Sequence, residues 1–526
     1  MSSLLSRAPL SSRACRGTAA ILAFVFALSA AAIAATPSTP AARTEAYLAA
    51  AVAAAPAHPT NLTLFLNAIP KGADLHHHLT GAVYAESYIT YAAEDGDCFD
   101  ATFTIVPPPC DASKGMSPAS RAVTDYLYRN LAINALSARN FAPVAGDSSV
   151  LVHFFLTFFK FDLVTNGHWP EEFAEVIHRA ALQHEIYLET MLSPDKFKSL
   201  ALGTKVGWDP NFDTMRAKLD AAGVPALVAE SRKNLDDAEA GYRKILGCGG
   251  PSPDVGCGLT VRYIHQVLRD EPKEQVFAQI QTAFELANAD PRVVSVNPVQ
   301  PQDDYLPMSD FELHMRMFGY FHQLYPKVQL TMHAGELFPG IGKPEDMYSP
   351  AHIRDTIEIG GATRIGHGLD VLYERDPQGL LKMMARRHIL VEDPIYIHEL
   401  LGPGVVGGDL LPIYLQAGVP VSLATDDEGG ARSDLTQTFL RAVQGYNIDY
   451  YGLKRMVRDS LEHGFMGGAD LWNAPEAFGT MVPACAGQAR TATPASAACR
   501  AFLATSLRAQ LEWKEEVAFA QFESHY

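Results

Sequence analysis

Lys71-Gly72-Ala73-Asp74-Leu75-His76-His77-His78-Leu79-Thr80-Gly81 reads as a strand that leaves through three consecutive histidines. On a strand, residues i and i+2 point to one face, so His76 and His78 can reach a single ion while His77 points away. The same form recurs along the chain as short runs rich in β-branched or apolar residues that end at charged groups or histidine. These runs span residues 72–78, 185–191, 259–266, 293–299, 328–333, 364–367, 389–393 and 419–425. Helical periodicity fills the intervals, as over residues 170–184, 274–289, 310–325, 350–359 and 376–387. Alternation of strand and helix predicts a parallel sheet, and eight such units predict a (β/α)8 TIM barrel, an α/β fold whose chemistry gathers at the C-terminal ends of the strands.

Titratable residues do gather at those predicted ends. His333 closes the fifth run in Leu330-Thr331-Met332-His333-Ala334-Gly335-Glu336, and Asp426 follows the eighth in Ala424-Thr425-Asp426-Asp427. Three imidazole nitrogens and one carboxylate from His76, His78, His333 and Asp426 suit one Zn2+ per chain and leave a position for water. Taken singly, these histidines would read as structural. Glu336 lies three residues past His333, close enough to face the substrate side of the ion without ligating it. His367 sits between glycines in Gly366-His367-Gly368, which permits close approach. The plainer alternatives are a helix N-terminal carboxylate for Glu336 and a satisfied core histidine for His367.

The chain has 526 residues, 48% hydrophobic and 19% charged, a composition ordinary for a soluble globular enzyme. Its formal charge of −17 disfavours a nucleic-acid backbone as the main ligand. Arg7, Arg13 and Arg16 precede an apolar, Ala-rich run over residues 18–34, the layout of a signal peptide cleaved near Ala34 or Ala35. Residues 1–35 are therefore expected to be a leader, residues 36–60 an Ala/Pro-rich spacer, and residues 61–526 the barrel with insertions over 92–150 and 195–258. Losing the leader takes the charge to about −20. An exported product, periplasmic or secreted, with no membrane segment after cleavage is the expectation. Beyond Cys15, the cysteines fall as neighbouring couples, Cys98 with Cys110, Cys248 with Cys257 and Cys485 with Cys499. Three short-range disulfides in an oxidising compartment would account for that pattern.

The four motifs, Lys71 to Gly81, His333-Ala334-Gly335-Glu336, Gly366-His367-Gly368 and Thr425-Asp426-Asp427, together resemble the adenosine deaminase family in order, spacing and residue type. The likeness spans roughly residues 66–470, and the leader, cysteine couples and enlarged first insertion resemble the extracellular, growth-factor-related branch more loosely. The resemblance implies zinc on His76, His78, His333 and Asp426. It implies a proton delivered by Glu336 to purine N1, and His367 orienting and helping to deprotonate the attacking water. It also implies substrate contacts from Asp427, near N7, and from Thr80 and Gly81. The implied partner is a small purine nucleoside, with the oligomeric state open and a homodimer among the options.

Departures bear on substrate. Thr80 stands where the family has Asp, the strand-four end Val296-Asn297-Pro298-Val299 lacks the usual Gly-Asp/Glu pair, and Val391-Glu392-Asp393-Pro394-Ile395-Tyr396 departs from Cys-Pro-x-Ser. Deamination of another aminated purine or modified nucleoside is therefore the first alternative to adenosine or deoxyadenosine. A binuclear amidohydrolase would need a bridging Lys on a middle strand, and none ends the third or fourth run. A secreted nucleoside binder without turnover would have no need of both Glu336 and His367. His153, Phe154, Phe155, Phe158 and Phe159 read first as core and second as an apolar lid over the base.

Overall fold

The computed structural model describes residues 39–143, 149–336, 352–402 and 408–526. The proposed leader, residues 1–35, lies outside them. Eight parallel strands follow one another in chain order around a single sheet: β1 Gly72–His78, β2 Glu185–Leu192, β3 Thr260–Leu268, β4 Val293–Val299, β5 Gln329–Ala334, β6 Arg364–His367, β7 Leu390–Asp393 and β8 Val421–Leu423. Just past β8, Asp426 bridges back to His77, donating its N–H to the His76 carbonyl at 2.8 Å and accepting the His78 N–H at 3.2 Å. Asp74 fastens the seam: its Oδ2 accepts both the backbone N–H and the hydroxyl of Thr425. These contacts close the sheet into a (β/α)8 barrel.

The outer helices form where apolar positions repeat at helical spacing. The helix Trp169–Leu182 has Pro170 at its second position, carries Glu171 and Glu172 in its first turn and Arg179 in its last, and buries Phe173, Val176, Ile177 and Ala180 along one stripe. That order matches the helix dipole and turns one face to the sheet. The helix Pro377–Arg386 is capped by Asp376, which accepts the Gly379 N–H, and buries Leu380, Leu381, Met383 and Met384. Among the described residues no helix is long and apolar enough to cross a membrane.

The decorations differ from their sequence reading in particular ways. Much of the stretch read as a spacer is helix: Pro40–Ala54 is capped by Thr39 and buries Leu48 and Ala51 in the main core. Tyr47 stacks on Phe65 and meets Tyr526, so the two ends of the described chain pack together. Within the second insertion, Gly223, at φ 135, separates the helices Phe212–Ala222 and Val224–Ile245. All three cysteine couples are disulfides: Cys98–Cys110, Cys248–Cys257 and Cys485–Cys499. On the helix Val150–Thr165, Phe154 is buried against Ile397, Leu401 and Ala431, whereas Phe159 is 73% exposed. The aromatic stripe thus serves partly as core.

Candidate metal centre and active site

Residues from β1, β5, β6 and the end of β8 meet at one rim of the barrel. His78 Nε2 lies 3.2 Å from His333 Nε2 and 3.5 Å from Asp426 Oδ1. His76 Nε2 lies 3.9 Å from the same carboxylate oxygen, and His367 Nε2 lies 3.9 Å from Asp426 Oδ2. His77 points away, bonding Thr190 through Nδ1 at 2.8 Å. Left-handed backbone at His367 (φ 72) and Asp426 (φ 61) turns both side chains inward from the strand ends. Such geometry costs on the order of 1–3 kcal/mol at a residue with a Cβ and persists where the surroundings enforce it.

The tautomers of His76 and His333 are set from behind. His76 Nδ1–H donates to Glu392 Oε2 at 2.8 Å, and Glu392 Oε1 accepts from Thr331 Oγ1 at 2.7 Å and Arg364 Nε at 2.6 Å. His333 donates both its backbone N–H and its Nδ1–H to Asn297 Oδ1, at 3.0 and 2.8 Å. Acceptors on both Nδ1 atoms leave both Nε2 lone pairs facing the rim, the arrangement a metal ligand needs. Gly366 makes this possible, because a Cβ there would come within 2.6 Å of His76 Cε1.

Electrostatics favour a cation at this point. Burial and the nearby His76 push His78, His333 and His367 well below the ordinary imidazole range, so they are neutral and can donate lone pairs. Burial would lower His76 too, but its bond to Glu392 and the charge of Asp426 raise it. Burial raises Asp426 well above the carboxylate range, with Asp427 adding to it, and lifts Asp427 to about 7. His76 Nε2, His367 Nε2 and Asp427 Oδ1 are buried without a hydrogen-bond partner among the described residues. One divalent ion would answer the orphaned imidazole nitrogens and the crowded carboxylates together, so the donor set fits a metal.

Glu336 faces the same rim. Its N–H donates to Gln302 Oε1 at 3.2 Å, and its Oε2 accepts from Arg269 Nη2 at 2.8 Å. Burial raises its pKa, opposed by the Arg269 charge, and the balance is upward. Gly81 packs against Asp427 so closely that a Cβ would fall 1.5 Å from Oδ1, and its role is to make room for that carboxylate. The Thr80 carbonyl accepts the Tyr88 hydroxyl at 2.6 Å.

Sequence reasoning missed Arg269, which follows β3 and also donates to the carbonyls of Gln300 and His333 at 2.8 and 3.2 Å. It missed the roles of Glu392 and Asn297, and the group behind His367 formed by His398, Asp393 and Asp409. A signal was present for Glu392 and Asn297: each is a polar side chain within the last three residues of a predicted barrel strand. His398 and Asp409 had none.

The adenosine deaminase family model matches residues 253–470. An adenosine deaminase of Clostridium perfringens is 30% identical over 139 residues, which is 26% of this chain and 38% of that protein. One from Enterococcus faecalis is 26% identical over 140 residues, 26% of this chain and 37% of that protein. The chain thus matches well under half the length of these curated relatives. Among solved structures, Arabidopsis ADAL complexed with IMP superimposes with a TM-score of 0.50 at 16% identity, covering 76% of this chain and 93% of that one, a likeness of fold.

Proposed function

We propose that this chain, which the adenosine deaminase family model matches over residues 253–470, hydrolyses the exocyclic amine of adenosine or deoxyadenosine to give inosine or deoxyinosine and ammonia. The observation that carries the reading is the meeting of His76, His78, His333 and Asp426 at one rim with Glu336 and His367 beside them. The four would hold one zinc ion, which when bound makes a water nucleophilic near neutral pH. His367, with Nε2 turned to that rim, orients the attacking water. Glu336, its carboxyl pushed upward by burial, gives a proton to the ring nitrogen next to the amine and so makes the ring carbon electrophilic. Arg269 holds the Glu336 carboxyl in place, and Asp427 faces the far edge of the purine. Of the two protons the water gives up, one restores Glu336 and the other leaves with the amine as ammonia.

A second reading, another aminated purine or a modified nucleoside, is favoured by one observation. Asn297, at the strand end where the family approaches the purine, is committed through Oδ1 to His333. The test is ammonia release by the zinc-loaded protein from adenosine, deoxyadenosine, adenine, AMP and methylated analogues. Chelation and Glu336→Gln should abolish it. Release from adenosine alone supports the first reading, and preference for a modified or phosphorylated member supports the second. Tight nucleoside binding with no ammonia from any member defeats both.

Export is part of the same proposal. Three disulfides among the described residues suit an oxidising compartment. The N-terminal sequence of protein recovered outside the cytoplasm should begin at Ala35 or Thr36.

A further inference from the structure

Behind His367 lies a second buried cluster. His398, on the helix Ile395–Leu401, places Nε2 3.0 Å from His367 Nδ1. Its other ring nitrogen, Nδ1, sits 2.5 Å from Asp409 Oδ2 and 3.3 Å from Asp393 Oδ1. Carboxylates only accept, so Nδ1 carries a proton. Asp393 ends β7, and Asp409 is held by the Leu411 N–H, which donates to Oδ1 at 2.8 Å, and by its own N–H, which donates to the Tyr446 hydroxyl at 2.9 Å. Both Asp393 oxygens lack hydrogen-bond partners among the described residues. Two buried carboxylates facing one ring edge call for positive charge on that ring.

We infer that His398, clamped between Asp393 and Asp409, is a positioning residue: as an imidazolium it donates Nε2–H to His367 Nδ1 and so places the proton of His367 on Nε2, the atom turned to Asp426. The inference rests on the proposed role of His367 beside the attacking water and refines it. A neutral His367 protonated on Nε2 donates a hydrogen bond to the water oxygen and aims its remaining lone pair, rather than removing its proton.

The charges around the pair agree. Burial alone would lower His398, but Asp409 and Asp393 raise it to about 10. The other nitrogen of His398 has carboxylate oxygens at 2.5 and 3.3 Å, whereas that of His367 has Asp426 Oδ2 at 3.9 Å, so the proton shared between the rings belongs to His398. Asp393 is itself lifted to about 7 by burial and by Asp409. Tyr414, whose hydroxyl donates to the Gly368 carbonyl, and Tyr446 with Glu399 and its partner Arg441 are further titratable groups packed nearby among the described residues.

Full-length protein labelled with 15N-histidine, zinc-loaded and metal-free, tests this by ring-nitrogen NMR against pH. One ring should keep both nitrogens protonated above pH 8, and that signal should vanish in His398→Gln and in Asp409→Asn. No such ring in the wild type, or one that survives His398→Gln, overturns the inference; Asp409→Asn decides if His398→Gln fails to fold. With the deaminase active, both variants should lower kcat about 10- to 100-fold with little change in KM. Unchanged kcat with the signal lost would also overturn it. A wild type inert on every purine defeats the deaminase reading alone, because the NMR result needs no turnover.

Discussion

Glu392→Gln tests how the barrel prepares His76, a proposed metal ligand. The native carboxylate accepts from three donors: His76 Nδ1 at 2.8 Å on one oxygen, Thr331 Oγ1 at 2.7 Å and Arg364 Nε at 2.6 Å on the other. An amide has one oxygen. If that oxygen stays with Arg364 and Thr331, the NH2 faces His76 Nδ1, which must then accept, and the ring proton moves to Nε2, the nitrogen aimed at the metal. If the amide flips, its NH2 meets the Arg364 N–H and two donors oppose each other inside the barrel. The first outcome weakens metal binding about 10- to 100-fold, or about 1.4–2.7 kcal/mol. Loss of the charge also leaves Arg364 with Glu189 alone, 2.6 Å from Nη2. The metal-free protein should therefore lose about 2–4 kcal/mol, somewhat less than breaking a buried pair outright because Glu189 remains. Zinc titration against a competing chelator and urea unfolding of the metal-free protein read the two effects. Thr331→Val is the control: it removes one neutral donor, costs about 1 kcal/mol, and leaves the tautomer alone. A Glu392→Gln protein that folds and binds zinc as tightly as Thr331→Val would refute the argument.

Gly366→Ala drives a Cβ to 2.6 Å from His76 Cε1 and 2.8 Å from Nδ1. Overpacking of this kind costs about 1–3 kcal/mol, and the rise in Tm that zinc should give the wild type should be lost; an unchanged zinc-dependent rise counts against it. Glu336→Gln should lower kcat about 10²- to 10⁴-fold with zinc affinity retained, and a lesser loss in the purified enzyme would remove Glu336 as the proton donor. The His398 pKa, raised to about 10, makes its contribution to stability complete below its unfolded value, about 6.5, and lost as pH climbs through 10. The advantage of the wild type over His398→Gln in urea unfolding should thus narrow from pH 7 to pH 10. A gap that stays constant over that range contradicts it.

The barrel was legible because its strands are short apolar runs whose ends carry the polar residues. Each of the eight strands lies within a few residues of its sequence reading, β1, β4 and β6 with identical bounds. The helix Pro40–Ala54 was not legible as structure, since an Ala-rich stretch shows no stripe until Tyr47 and Leu48 meet the far end of the chain. The break at Gly223 was hidden because helical composition continues on both sides of it.

For the site, period-two geometry was enough to put His76 and His78 on one face and His77 on the other, and strand ends were enough to gather His333, His367 and Asp426. That much is local, because the alternation of a strand depends only on its own backbone. Which groups stand behind those residues is a matter of neighbours across the barrel: Glu392 behind His76, Asn297 behind His333, Arg269 against Glu336, His398 and its two carboxylates behind His367. Closure brings together side chains 316 positions apart, as with His76 and Glu392, and 351 apart, as with Asp74 and Thr425. Hydrogen-bond direction and proton placement depend on those distances, and no periodicity in the chain encodes them.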